Sequence, residues 1–262
     1  MRLTDDIYLV GSGALGFHIT NAFDCNIYAI RSGSEVVLVD AGIGLDTERI
    51  IAYIRHQGLN PNRIRLILVT HYHGDHIGGL AQLRELTGAE VVASTNAAPA
   101  IEQGDEEKTG VGNLRQLYDH LSSYHLEPCK VDRIVGDGDV IDFRGHQIKV
   151  IATPGHCSGH VCYLVASARG KALFSGDCVF YGGRIMLQNI PDCDLQCYSS
   201  SIMRLAQLDV DLLLPGHMQV VLSKAQWHLE TAARTFQNLG IPDNVPIPQG
   251  LFTAGDVNDR SK

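Results

Sequence analysis

Ile64-Arg65-Leu66-Ile67-Leu68-Val69-Thr70 runs directly into His71-Tyr72-His73-Gly74-Asp75-His76, so an apolar segment is followed within six residues by three imidazoles and a carboxylate. The first part reads as a buried strand. At its end the backbone opens into a loop that can turn these side chains toward one point, and imidazole with carboxylate is a donor set suited to zinc or a similar transition metal. His71, His73 and Asp75 differ by two and can share a direction in an extended segment, whereas His76 then points elsewhere. Two neighbouring metals therefore fit better than one. Gly78 and Gly79, in the helix that follows, let its backbone approach closely.

Three further segments repeat the arrangement. Thr153-Pro154-Gly155-His156, Ser175-Gly176-Asp177 and Leu214-Pro215-Gly216-His217 each follow an apolar, strand-like run and each place one ligand-type side chain at its end. A polar turn with incidental histidines explains one such case; four together argue for a site.

Around these segments the period of the apolar residues predicts strands at Ile7 to Val10, Asn26 to Ile30, Glu35 to Asp40, Ile64 to Thr70 and Glu90 to Ala93 in the first half. In the second half it predicts them at Val131 to Val135, Val140 to Phe143, Gln147 to Ala152, Val161 to Val165, Ala172 to Phe174 and Asp211 to Leu214. Helical spacing marks Thr47 to His56, Ile77 to Leu86, Leu114 to Ser122, Leu195 to Leu208 and Ser223 to Leu239. Two successive sets of strands then helices predict an α/β fold of two face-to-face sheets with helices outside, a four-layer αββα sandwich. A single domain over residues 1–262 is expected, because residues from both halves must converge on one metal pair. The polar stretch from about 95 to 127 reads as a helical or loop excursion carrying substrate-facing residues, with Thr20 to Asp24 also at the pocket rim. The polar tail after 248 is expected to be mobile.

Composition removes whole classes of function. With 262 residues, 45% of them hydrophobic, the chain can build a large core. Its 21 Lys and Arg against 29 Asp and Glu give a net charge of −8 with no basic block, which argues against a nucleic-acid partner. The N-terminus lacks the basic and apolar regions of a signal peptide, and no uncharged apolar run approaches membrane-spanning length, so the cytosol is the expected location and no membrane partner is expected. Seven irregularly spaced cysteines fit reduced thiols better than a disulfide framework.

With these segments the sequence resembles the metallo-β-lactamase superfamily of metallohydrolases, whose HxHxDH motif corresponds to His71 through His76. The resemblance extends from about Ile7 to His217 and implies the αββα fold. It also implies that His71, His73 and His156 bind a first metal, that Asp75, His76 and His217 bind a second, and that Asp177 bridges them. Two divalent cations are implied, zinc foremost, with iron or manganese as alternatives. Such a pair lowers the pKa of a shared water to about 7 and polarises a carbonyl. The expected activity is hydrolysis of an activated carbonyl in a small-molecule lactone, ester or thioester by a metal-bridging hydroxide, with Asp75 orienting the hydroxide and carrying the proton.

Departures from the subfamilies sort the substrates. Asp177, and His76 in place of a downstream cysteine ligand, look unlike the common zinc β-lactamases. Gly176-Asp177-Cys178-Val179-Phe180 with Gly183-Arg184 is similar to the glyoxalase II branch, but the 45 residues after His217 hold no basic cluster for glutathione. Acyl-homoserine lactonases are similar in ligands and use a tyrosine three residues after the bridging aspartate; here position 180 is phenylalanine and Tyr181 comes one later, a candidate catalytic donor to the carbonyl. The alternative from the same superfamily is an oxidoreductase resembling the persulfide dioxygenases, with one iron on His71, His156 and Asp177.

The remaining features read as support or surface. His160 is expected to orient the site from behind or to be a core histidine, and Tyr72 to face the pocket mouth. Cys157 and Cys178 read as buried thiols, and Arg184 as a structural partner or a contact for a substrate carboxylate. His18, His56, His120, His125, His146 and His228 lie outside any ligand spacing.

Overall fold

The computed structural model describes residues 1–246, the His120 side chain excepted, so the expected mobile tail lies outside the described residues. Among the described residues eleven strands form two sheets. The first contains β1 (Ile7–Gly11), β2 (Ile27–Ser32), β3 (Glu35–Val39), β4 (Ile64–Leu68), β5 (Glu90–Ser94) and β6 (Arg133–Val135), ordered as in sequence. β1 to β3 pair antiparallel and β3 to β6 pair parallel. The second contains β7 (Val140–Phe143), β8 (His146–Ala152), β9 (Val161–Ser167), β10 (Gly170–Gly176) and β11 (Leu212–Pro215), antiparallel except for the β10–β11 pair.

Alternation along the strands builds three apolar layers. Leu9, Ile30, Val37, Val39, Leu68 and Val92 of the first sheet face Ile148, Val150, Tyr163, Phe174, Leu212 and Leu214 of the second. Their neighbours point outward. Leu38, Ile67 and Val91 meet Ile50, Ile51 and Ile54 of α1 (Thr47–His56) and Leu80 and Leu83 of α3 (Leu80–Thr87). On the other side Ile151, Leu173 and Leu213 meet Tyr198, Ile202 and Leu205 of α6 (Leu195–Leu205) and Leu229, Ala232 and Ala233 of α7 (Gln226–Gln237). The four layers are therefore the αββα sandwich. No described helix is long and apolar enough to cross a membrane.

Two helical predictions need correction. The segment expected as one helix from Ile77 to Leu86 is split into α2 (Gly74–Ile77) and α3. The cause is steric. Gly78 and Gly79 pack against the carbonyls of Ile43 and Ala41, which a Cβ would meet at 2.1 and 2.3 Å, so the chain bends where it touches the loop after β3. The helix expected over Leu114 to Ser122 instead starts three residues earlier as α5 (Val111–Leu117), after Gly110 at φ 77°, and ends in a 3-10 turn at Asp119–Leu121. A short α4 (Ala98–Gln103), with Pro99 in its first turn, also lies in the 95–127 stretch.

Candidate metal centre

Parallel strand ends deliver the side chains. His71 follows β4, His156 follows β8, Asp177 follows β10 and His217 follows β11, so four loops open on one edge of the sandwich. Asp75 and His76 lie in α2, whose first turn begins at Gly74. Gly216 must lack a side chain there, because a Cβ would stand 2.3 Å from Asp177 Oδ1 and 2.7 Å from His76 Cε1.

The seven predicted residues converge as two overlapping groups. Ligand atoms of His71, His73 and His156 form one, and those of Asp75, His76 and His217 another, each within 4.8 Å; His71, His76 and Asp177 also lie within that distance and overlap both. His73 Nδ1 lies 3.1 Å from His71 Nε2 and 2.9 Å from His156 Nε2. In the other group His217 Nε2 lies 3.0 Å from Asp75 Oδ2, and His76 Nε2 lies 3.6 Å from the same atom. Asp177 spans both, with Oδ1 3.5 Å from His76 Nε2 and Oδ2 3.4 Å from His217 Nε2 and 3.7 Å from His156 Nε2.

The hydrogen bonds behind these atoms select the tautomers. Thr70 Oγ1 donates its one proton to Asp40 Oδ2, so its contact with His71 Nδ1 must be donated by the imidazole, which leaves the Nε2 lone pair facing inward. His156 Nδ1 donates to the Met186 carbonyl at 2.8 Å, and His76 Nδ1 to Asp40 Oδ2 at 2.9 Å, with the same consequence. Two inward lone pairs, on His71 and His156, then crowd His73 Nδ1, whose single proton could satisfy only one of them. Burial pushes His71 well below its ordinary value and, with the neighbouring His156, pushes His73 down to about 3, so added protons do not relieve the crowding. A cation does. His76 Nε2 and Asp177 Oδ1 are also buried without a hydrogen-bond partner. The donor set fits transition-metal cations, since zinc takes imidazole nitrogen at about 2.0–2.1 Å and carboxylate oxygen at a similar distance.

The second group differs in charge. Burial alone would lower His217, but Asp177 and Asp75 raise it to about 9, and the carboxylates of Asp75, Asp177 and Asp40 raise His76 well above its usual value against the same burial. Without metal, protons on these rings offset the carboxylates. Metal must displace them, so loading at pH 7 should release at least one proton per chain, read by calorimetry in buffers of different ionisation enthalpy. Uptake with no proton release would contradict this assignment. The sign for the metal-free protein follows: the His217 contribution to stability is full below the unfolded value near 6.5 and is lost as pH rises through about 9.

Two supporting residues were not singled out from the sequence. Asp40, just past β3 at φ 63°, accepts from Thr70 N, Thr70 Oγ1 and His76 Nδ1. Its signal was available: Val36 to Val39 is one more apolar run ending in a carboxylate. Cys25 lies with Asp40 and His76 in a third group of possible ligands. Burial pushes its thiol up to about 12, so it is a neutral neighbour at pH 7. His160 supports the site from behind: Asp177 N donates to its Nε2 at 3.0 Å, and its Nδ1 donates to Thr153 Oγ1 at 2.8 Å. His160→Ala should weaken metal binding about tenfold by freeing the Asp177 loop, measured by chelator competition; unchanged affinity would reject that role.

Tyr181 is not brought to the site. The residue is 48% exposed and its ring lies tilted against His228, with 4.8 Å between centroids, while Phe180 fills the core beside it. Tyr181→Phe should leave kcat/KM within about twofold of the parent, as for other surface changes; a larger loss would restore it as a carbonyl donor. Tyr72 is wholly buried and not at the mouth; its hydroxyl donates to Asp192, which also accepts from Ser158 N. Arg184 donates to the Asn244 carbonyl. Above the cluster lies a cavity of about 790 Å³ reached by Phe23 and Asp24, by Asp105 and Glu107 to Gly110, and by Gln188 and Ile190 to Asp192, the last segment having no sequence signal beyond its turn-forming Pro191-Asp192.

Among known protein families, the one described as the metallo-beta-lactamase superfamily matches residues 20–217. The chain is 30% identical over 210 residues to the acyl-coenzyme A thioesterase MBLAC2 of Gallus gallus, covering 74% of this chain and 73% of that one. It is 37% identical over 114 residues to a hydroxyacylglutathione hydrolase of Rhizobium meliloti (strain 1021), covering 44% and 33%. Two other curated relatives are spanned over little more than half their length, 56% and 53%. The crystal structure of BJP-1, a subclass B3 metallo-beta-lactamase of Bradyrhizobium japonicum, superposes with a TM-score of 0.70 at 23% identity over 91% of both chains, a likeness of fold.

Proposed function

Because this chain belongs to the metallo-beta-lactamase superfamily, we propose that it is a dinuclear metallohydrolase, with zinc as the first candidate, that cleaves an ester, lactone or thioester. The observation that carries this reading is the convergence of two ligand groups, joined through Asp177, at the floor of a cavity. His71, His73 and His156 would hold one cation, and Asp75, His76 and His217 the other, with Asp177 shared, all within one domain. When bound, such cations polarise a carbonyl oxygen and supply a water that loses its proton near neutral pH.

The remaining work falls to the protein. His73, Asp75, Asp177 and His217 reach the cavity surface. Asp75 keeps 29% of its side chain exposed, so its carboxylate can accept the proton of the attacking water and pass it to the leaving oxygen or sulfur. One carbon–oxygen bond forms, one carbon–heteroatom bond breaks, and the proton ends on the released group. The thioesterase and hydroxyacylglutathione hydrolase names among the relatives support a thioester within this class.

A single iron on His71, His156 and Asp177 accounts for less. It would leave Asp75, His76 and His217 converging within 4.8 Å with nothing to bind. The test is anaerobic assay of metal-loaded protein on lactones, esters, thioesters and β-lactams. Hydrolysis of a member of the first three classes is the expected result. Iron-dependent oxygen uptake on a persulfide, with no anaerobic turnover, would overturn it.

A further inference from the structure

The cavity walls discriminate by charge. Leu15, Phe23, Leu114, Leu117, Met186 and Ile190 supply broad apolar surface. Apart from the predicted ligands, the charged side chains there among the described residues are Asp24, Asp105, Glu107 and Asp192 against one ammonium, Lys108. Lys108 is turned to one corner, its Nζ 5.1 Å from the centroid of the Tyr72 ring, whose hydroxyl is bound to Asp192. Across Leu15 a second trough of about 290 Å³ continues the surface, bordered by Phe17, Met218 and Pro246 and, among the described residues, by no charged one. Leu117 and Phe17 remain 73% and 39% exposed where these openings meet solvent.

Recognition of phosphate or carboxylate normally uses arginine forks or lysine clusters. Two cations would place positive charge at the floor, where the carbonyl goes, whereas the described walls around a leaving group carry four carboxylates against one ammonium, on a chain of net charge −8, and a concave wall of net negative charge directs that potential at an entering group. Apolar contact is available on both sides of Leu15, so both halves of a substrate can be buried without an ionic partner.

We propose that the substrate is an uncharged ester or thioester with an extended apolar acyl group, and that leaving groups bearing phosphates or carboxylates are selected against. The proposal rests on the hydrolase reading above and narrows it. It separates this chain from a thioesterase specialised for a polyanionic coenzyme, although one relative carries that name. In the cleavage, water adds its oxygen to the acyl carbon, the carbon–sulfur or carbon–oxygen bond breaks, and a neutral thiol or alcohol leaves.

The test holds the acyl group constant and changes the charge of the leaving group. Metal-loaded protein comprising the whole 262-residue chain is assayed on decanoyl thioesters of N-acetylcysteamine, glutathione and coenzyme A. The neutral thioester should have kcat/KM at least ~10-fold above the coenzyme thioester at low salt, mostly through KM, and the gap should narrow as salt screens the repulsion. Binding of the matching S-decyl thioethers, measured by calorimetry, should follow the same order. The double variant Asp105→Lys, Glu107→Lys should shift the ratio of rates toward the coenzyme thioester. Equal or better use of the coenzyme thioester by the parent protein overturns this inference and leaves the hydrolase reading intact. Failure to cleave any ester or thioester, charged or neutral, overturns both.

Discussion

Asp177→Ala should lose metal and turnover together, with kcat/KM falling by at least ~10³-fold, or ~4 kcal/mol of transition-state stabilisation. Its carboxylate is the group shared between the two sets of imidazoles, 3.4 to 3.7 Å from His217, His76 and His156. The loop that presents it is held through its backbone instead: Asp177 N donates to His160, and Asp177 O accepts from Tyr198 at 2.6 Å. Alanine removes the carboxylate and keeps those anchors. The variant should therefore fold, as thermal unfolding of the metal-free forms can verify, while elemental analysis shows metal depleted. Two metals retained with parental kcat/KM would remove Asp177 from the site.

Asp40→Ala should weaken metal binding by about 10–100-fold without touching a ligand. One carboxylate fixes the Thr70 backbone, the Thr70 hydroxyl that sets the His71 tautomer, and His76 Nδ1 directly. Alanine leaves these buried donors unpaired, at about 1–3 kcal/mol for each unsatisfied group, and places a Cβ-bearing residue without a compensating side chain at φ 63°. Denaturant unfolding should show the stability loss and a chromophoric chelator the loss of affinity. Asp40→Asn, which keeps the shape and tolerates the backbone, should lie between. Parental affinity in the alanine variant would mean that the tautomers are set elsewhere.

The candidate ligands are legible because the segments that carry them follow apolar strands, where burial of the strand and exposure of the loop leave a sharp pattern. Helix α1 was legible at both ends for the same kind of local reason: Asp46 caps Arg49 N, Ile50, Ile51 and Ile54 share the core face, and Gly58 turns the chain at φ 75°. What the local pattern omits is contact across the fold. Gly78 and Gly79 read as helical until the carbonyls of Ala41 and Ile43 are seen against them. His160 and Asp40 gain their roles from Asp177 and His76, 17 and 36 residues away. Tyr181 is a candidate only through its likeness to the lactonase tyrosine, one residue displaced, and the turn through Gly182 at φ 78° and Gly183 points it to the surface, where it rests on His228. The charge of the cavity wall is legible only in part: Asp24 and Asp105 lie in the two stretches expected at the pocket, whereas Asp192 comes from a segment with no such signal.

The central claim, that two cations held by these seven residues make the chain a hydrolase, is tested most directly by titrating zinc into metal-free protein while following cleavage of a neutral thioester. Activity should be absent in excess chelator, rise with added metal and level off at two equivalents per chain. Cleavage by the metal-free protein, or saturation at one equivalent with no further gain, would contradict it.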